Sequence, residues 1–272
     1  MLFTRQYIGH AIAEKLRSEK QKLRGHWATS IPLKHFFIDG LFPEAYAQEL
    51  AKAFPAPEKL IVRSSIRERK HVGVDVKSYD PRVGEYLFAF QHPEVIQEIG
   101  EITQMAGLEA DPTLYASGIS IMGKGDFLNP HVDNSHDGDR RRYRVLNLLW
   151  YVSPDWKLQN GGNLELWDRP VRSACTILSK FNRLVVMETH QTSWHSVSEV
   201  LVNEPRYCLS NYYFSYLSPL NGKEYSHVTT FAGRPEEKLT RLLLKLDGVV
   251  RNGIRKIVPG IRRKVRHRIS AP

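Results

Sequence analysis

The sequence predicts an α+β fold: helices first, then a run of short antiparallel strands closing into a sandwich or barrel, then a basic helical tail. Three observations carry this. Apolar residues recur at helical spacing in the opening segment (Ile8, Ala11, Ile12 and Leu16). From Tyr115 the texture changes to short β-rich runs punctuated by Gly, Pro and Asn, with no helical spacers between them. The charge is also uneven. The chain carries a net +10, yet residues 234–272 hold 12 basic and 3 acidic residues, a net +9, which leaves the main body near neutral.

Taken in order, residues 1–30 read as a basic amphipathic helix and linker. Pro43 is placed to open a short helix over "EAYAQELAKAF", since its fixed φ suits a first turn. A second helix is expected over "HPEVIQEIGEITQMAGL". Six strands follow: "LYASGISIM", "RVLNLLWYV", "GGNLELW", "RLVVMET", "HSVSEVLV" and "RYCLSNYYFSYL". The helices would back one sheet. Three segments are expected: residues 1–30, a strand-rich main domain with supporting helices over 31–218, and a connector with basic amphipathic tail over 219–272.

At 272 residues the chain can bury a real core, and 42% hydrophobic and 25% charged content are ordinary for a globular protein. No apolar run of eighteen residues exists, and the first 25 residues carry charges where a signal peptide needs its apolar region. The two cysteines, Cys175 and Cys208, fit a reducing compartment. The expected localisation is cytoplasmic, with peripheral contact at the inner membrane face.

The chemistry begins at "NPHVDNSHDGDRRRYRVLNLLWYV". Strand side chains alternate with period two, so His131 and Asp133 point the same way and converge as two ligands of one metal. A third ligand should come from another strand, and "TSWHSVSEV" offers His195. Two histidines and one carboxylate occupy one face of an octahedral metal and leave the other face open, as non-haem Fe(II) oxygen chemistry requires. His136 and His190 lie nearby as decoys, with His190 in the polar turn "THQTSW". Such a metal needs a reductant in the site, and a keto acid such as 2-oxoglutarate needs a cation for its distal carboxylate. Arg206, eleven residues beyond His195, shares a strand face with Cys208, Ser210, Tyr212 and Phe214, where a guanidinium needs a buried anion. Tyr151 faces inward on the strand after Asp133 and offers a second bond to that carboxylate.

Over about residues 114–217 these motifs together resemble the prolyl-4-hydroxylase-like Fe(II)/2-oxoglutarate dioxygenases, and are similar to the hypoxia-sensing prolyl hydroxylases. "GDFLNPHVDN", "NLLWYVSPDW", "NGGNLELWD", "SKFNRLVVMET", "SWHSVSEV" and "PRYCLSNYYF" stand in the family's order. The resemblance implies a double-stranded β-helix, or jelly-roll, with metal ligands His131, Asp133 and His195. It places 2-oxoglutarate on Arg206 and Tyr151, and an aromatic near the iron at Tyr212. It implies Fe(II), 2-oxoglutarate and O2, with ascorbate (vitamin C) as reductant, and an oxidoreductase hydroxylating a small-molecule or peptidyl substrate. The intact Asp133 argues for hydroxylation over halogenation. The chain departs from the family at Ile121, where a tyrosine often stands, which removes a polar contact and alters the substrate side, and at Cys208, where a serine or threonine does.

Two charged features remain. Arg140, Arg141, Arg142 and Arg144 read either as a cationic draw for an acidic substrate at the mouth or, the preferred reading, as a solvated loop pairing with Asp137 and Asp139. In the tail, Leu239, Leu242, Leu243, Leu246, Val249 and Val250 form an apolar stripe against a basic face. This stripe suits either an anionic membrane surface or packing on the barrel. Nucleic acid is disfavoured, because aromatics for base stacking are absent. The rival functional reading is a catalytically silent metal-binding jelly-roll whose tail is a membrane or polyanion adaptor.

Overall fold

The computed structural model describes residues 4–220 and 222–244. Most of the expected tail, including Leu246, Val249 and Val250, lies outside the described residues.

The opening segment forms two helices, α1 (Arg5–Ser18) and α2 (Lys20–Thr29), where the sequence suggested one. The break falls at Glu19, whose carboxylate takes Lys15 from one helix at 2.7 Å and Lys22 from the other at 2.9 Å. Ile8, Ile12 and Leu16 form the fully buried stripe of α1. After strand β1 (His35–Asp39) come α3 (Glu44–Ala53), a hairpin of β2 (Ile61–Ser64) and β3 (Glu68–Gly73), and then α4 (Pro81–Ala89) and α5 (Pro93–Thr103). Helix α4 went unread in the sequence because Gly84 dilutes its pattern, yet Asp80 caps it and Pro81 opens it. Helix α5 stops at Gln104, which adopts the left-handed conformation. Buried Glu98 on α5 accepts Arg17 at 2.8 Å and Lys20 at 2.7 Å, and so clamps α1 and α2 to α5.

All six expected strands are present: β4 (Gly118–Met122), β6 (Tyr143–Tyr151), β7 (Leu164–Trp167), β9 (Arg183–Glu188), β10 (His195–Val197) and β11 (Arg206–Ser215). The chain adds β5 (Phe127–Val132), β8 (Ala174–Ile177) and β12 (Thr230–Phe231). Strand β5 carries His131 but contains Pro130, which cannot donate to a ladder. The β5–β10 register is irregular between His131 and Leu128, and that irregularity accommodates the proline.

The strands form one antiparallel sheet in the order β1-β9-β6-β11-β4-β3-β5-β10-β7-β8, with β2 paired to β3 and β12 to β5. The sheet curls on itself. Four strand steps separate β5 from β6, roughly 19 Å on a flat sheet at about 4.8 Å per step. Yet Asp133, just past β5, lies 3.6 Å from Arg144 on β6. Alternation sorts the two faces. Leu146, Leu148 and Trp150 of β6, Leu184 and Val186 of β9, and Leu209 and Tyr213 of β11 pack with the helices. Tyr151, Val185, Met187 and Cys208 point the other way, onto Leu164, Leu166 and Ile177. This is the α+β jelly-roll that the sequence predicts, with helices backing one face.

Candidate metal and 2-oxoglutarate site

The β5–β10 ladder brings three side chains together. His131 and His195 are directly paired across the β5–β10 ladder, and Asp133 follows two residues after His131. His131 Nε2 lies 3.7 Å from Asp133 Oδ1, and His195 Nε2 lies 3.8 Å from Asp133 Oδ2. One ligand atom from each residue falls within 4.8 Å of the others.

The tautomers follow from the backbone. Each Nδ1 faces a carbonyl, that of Asn129 for His131 and that of Ser193 for His195, both at 3.0 Å. A carbonyl only accepts, so each Nδ1 carries the proton and each Nε2 presents a lone pair to the shared point. Phe231 of β12 stacks on His131 at 5.2 Å between centroids and holds the ring. Burial, with the neighbouring His195, pushes His131 down to about 3. Burial alone would raise the Asp133 carboxyl, but Arg144 and the two histidines hold it near 2. Two neutral imidazoles and a carboxylate is the donor set a divalent metal takes, and Asp133 Oδ2 is buried without a hydrogen-bond partner. The residues fit Fe(II).

The decoys are occupied elsewhere. His190 Nδ1 accepts the Thr192 N–H at 3.1 Å, and His136 meets the Ser135 hydroxyl at 2.8 Å. A second grouping, His10, His92 and Glu94, has His10 exposed and the other two half-buried, and it is already used. His10 pairs with Glu94 at 3.0 Å, while His92 Nδ1 accepts the Glu94 N–H that begins α5.

Arg206 opens β11 at 2% exposure and has no carboxylate partner among the described residues. Its Nε donates to Ser179 Oγ at 3.2 Å, Nη1 meets Met122 Sδ at 3.6 Å, and its guanidinium lies 4.7 Å from the Tyr151 ring centroid. A buried guanidinium without an anion is costly unless a ligand brings one. The Tyr151 hydroxyl is likewise buried and unpartnered, and burial pushes its pKa up, so it stays a donor. This pair suits one end of a dicarboxylate. Gly161 and Gly162 shape the wall. Both have positive φ, a Cβ on Gly161 would strike the Glu199 carbonyl, and one on Gly162 would meet Arg206 Cδ at 2.9 Å.

Tyr212 lies on the inner face of β11, paired across from Asn147, whose amide donates to the Tyr212 hydroxyl at 3.1 Å. Two expectations are corrected. Ile121 belongs to the helix-facing core, because alternation on β4 turns Met122, paired with Arg206, toward the pocket. Arg144 is no loop residue: it is 5% exposed on β6 beside Asp133. The loop reading holds for Arg142, which Asp137 and Glu109 each hold at 2.8 Å. Ser179 was missed, although its place in "SKFNRL" lies within a recognised motif.

Residues 117–214 match the family model of the 2OG-Fe(II) oxygenase superfamily. The chain is 28% identical over 119 residues to prolyl 3-hydroxylase OGFOD1 of Mus musculus, covering 42% of this chain and 21% of that protein. The chain thus spans about a fifth of that relative's length. A Pseudomonas putida prolyl-4-hydroxylase superposes with a TM-score of 0.54 at 16% identity, covering 71% of this chain and 97% of that one. A Trichoplax adhaerens prolyl hydroxylase, solved with a peptide fragment of hypoxia inducible factor, gives 0.51 at 16% identity, covering 73% and 92%. The prolyl-4-hydroxylase-like resemblance and the jelly-roll fold are thereby borne out.

Proposed function

We propose that this chain, whose residues 117–214 match the 2OG-Fe(II) oxygenase superfamily, is an Fe(II)- and 2-oxoglutarate-dependent dioxygenase that hydroxylates an unactivated C–H bond. The observation carrying this is the joint presence of the two-histidine, one-carboxylate set and a buried arginine with no anion of its own. A protein that only binds metal has no use for the second.

His131, Asp133 and His195 would hold the metal on one side and leave the other side open. Bound Fe(II) and 2-oxoglutarate supply the oxidation of a C–H bond by O2, with release of succinate and CO2, and ascorbate keeps the metal reduced. The chain's residues bind and orient. Arg206 and Tyr151 receive the distal carboxylate, Ser179 aims the Arg206 fork, and Tyr212 lines the pocket near the metal ligands. The Asn129 and Ser193 carbonyls keep both imidazoles in the ligating tautomer, and Leu164, Leu166 and Met187 keep the interior dry. The substrate is a small molecule or a peptidyl residue. The peptide held by the Trichoplax adhaerens enzyme supports the latter.

Leu239, Leu242 and Leu243 are 53–79% exposed, which supports contact of residues 234–272 with an anionic membrane surface at the cytoplasmic face. No helix among the described residues is long and apolar enough to cross a membrane. The test of the enzyme is succinate production from 2-oxoglutarate with Fe(II) and ascorbate. Production by the native chain, and its loss in Asp133→Ala, is expected. Metal binding without any succinate would favour the silent adaptor.

A further inference from the structure

Strand β5 changes partners just ahead of the first metal ligand. Its opening residues pair with β3, Phe127 with Arg69 and Leu128 with Glu68. The β2–β3 turn ends that pairing: the Asn129 N–H donates to the Arg67 carbonyl at 2.9 Å, and beyond it His131 would sit on an open edge. Strand β12 takes the vacated side. Phe231 pairs with His131 and Thr230 with Val132, although β12 lies outside the residues 117–214 that match the family model.

Residues 225–234 form a strap that reaches every ligand. Ahead of His131, the Pro130 carbonyl accepts the Ala232 N–H at 2.7 Å. Past Asp133, the Ser135 N–H donates to the His227 carbonyl at 3.1 Å, and the His227 N–H donates to the Ser135 hydroxyl at 2.9 Å. Beside His195, Arg234 donates to the Val197 carbonyl at 3.2 Å and pairs with Glu165 at 2.6 Å. Glu165 in turn accepts the Ser196 hydroxyl at 2.5 Å. Both ends of the strap are fixed. Tyr225 stacks on Tyr143 at 5.1 Å, and Gly233 packs so closely that a Cβ there would lie 2.4 Å from the Arg241 backbone nitrogen.

The ligands need such support. Two Nε2 lone pairs and a carboxylate aimed at one point repel one another until a cation arrives. A single bond from Nδ1 to a carbonyl leaves an imidazole free to tilt about it. The His131 ring meets His195 at 4.1 Å and Phe231 at 5.2 Å, the latter nearly parallel at 19°, and a flat aromatic face limits the tilt.

We propose that residues 225–234 are a working part of the metal centre, with Phe231 and Arg234 as positioning residues, and that strap closure and metal occupancy stabilise each other. Phe231 sets the tilt of His131. Arg234 acts through Val197, Glu165 and Ser196 on the strand that carries His195. If the closed strap raises metal affinity, bound metal must favour closure by the same factor. This rests on the metal reading of the triad and on nothing about the cosubstrate.

The test uses the full chain, stripped of metal by a chelator and titrated with Co(II), whose visible absorption reports ligand geometry. Phe231→Leu should bind Co(II) roughly tenfold more weakly and with a shifted spectrum, since residues that orient ligands are worth about ten- to a hundredfold in affinity. Its metal-free melting temperature should stay near native, because leucine still fills apolar space. Phe231→Tyr should restore affinity and spectrum, and Arg234→Gln should weaken Co(II) binding. Hydrogen exchange on the native chain gives the reciprocal reading: Co(II) should slow the His227 and Ala232 amides and leave those of α1 and α2 unchanged. Native Co(II) affinity in Phe231→Leu or in Arg234→Gln overturns the proposal. So does a Phe231→Leu chain that melts early without metal yet gains the native increment with Co(II), a failure of Phe231→Tyr to rescue, or strap exchange that ignores the metal. A native chain that binds no Co(II) refutes the metal reading instead.

Discussion

The Nε of Arg206 donates to the hydroxyl of Ser179, 27 residues earlier in the chain, at 3.2 Å. Ser179 in turn donates to the Gly162 carbonyl at 2.7 Å. The hydroxyl therefore locks the rotation of the guanidinium and leaves the rest of its fork for a ligand.

Replacing Arg206 by Ala should raise the KM for 2-oxoglutarate roughly thirty- to more than a hundredfold, the value of about 2–3 kcal/mol for a charge-assisted bidentate bond. Arg206→Lys should recover part, since the charge survives and the fork does not. Ser179→Ala should raise KM several-fold, for about 1 kcal/mol, and leave kcat unchanged. An unchanged KM in Arg206→Ala would remove the cosubstrate assignment.

At the metal, His131→Ala, Asp133→Ala and His195→Ala should each abolish succinate formation and weaken Fe(II) binding in equilibrium dialysis, because three ligands leave no spare. His136→Ala and His190→Ala should bind Fe(II) as the native chain does. Loss of iron in His190→Ala with retention in His195→Ala would overturn the third ligand.

The segment after Asp133 makes a pH-dependent contribution. Burial alone would raise the Asp137 carboxyl, but Arg142 and the Arg141 and Arg142 backbone N–H groups hold it below the ordinary carboxylate range. A depressed folded value means stability present above the unfolded value, near 4, and lost as pH falls below it. Asp137→Asn should therefore cost about 1–2 kcal/mol near neutral pH, with the gap from native closing below about pH 4. Urea melts across that range measure it, and a gap independent of pH would contradict the ion pair.

Truncation should respect packing rather than charge. A cut just before Arg234, where the basic tail begins, removes its 2.6 Å pair with Glu165 and leaves that carboxylate, 12% exposed, without its cation. It also removes Arg241, which donates to the Val171 and Pro170 carbonyls, and the buried Leu244. Residues 1–233 should lose about 3 kcal/mol or more in a melt. Residues 1–244 should keep fold and turnover and bind anionic vesicles more weakly, since Leu239, Leu242 and Leu243 remain while nine of the twelve basic residues of 234–272 are gone. Equal melting of the two truncations would show that these contacts contribute nothing.

Local chemistry made much of this protein legible from its sequence alone. Period-two alternation put His131 with Asp133, and Arg206 with Cys208 and Tyr212, because side-chain direction along a strand is set by the backbone within a few residues. β-Branched and aromatic runs marked six strands for the same reason. Long-range packing decided the rest. Pro130 hid β5, because only the β5–β10 irregularity shows how a proline is tolerated there. The way α1 and α2 are set on either side of Glu19 depends on Glu98 of α5, which pairs with Arg17 of one helix and Lys20 of the other. Which of Ile121 and Met122 faces the pocket depends on where the helices lie. The inward turn of Arg144 depends on a one-residue bulge against β11, and a ladder register exists only between strands brought together by the fold.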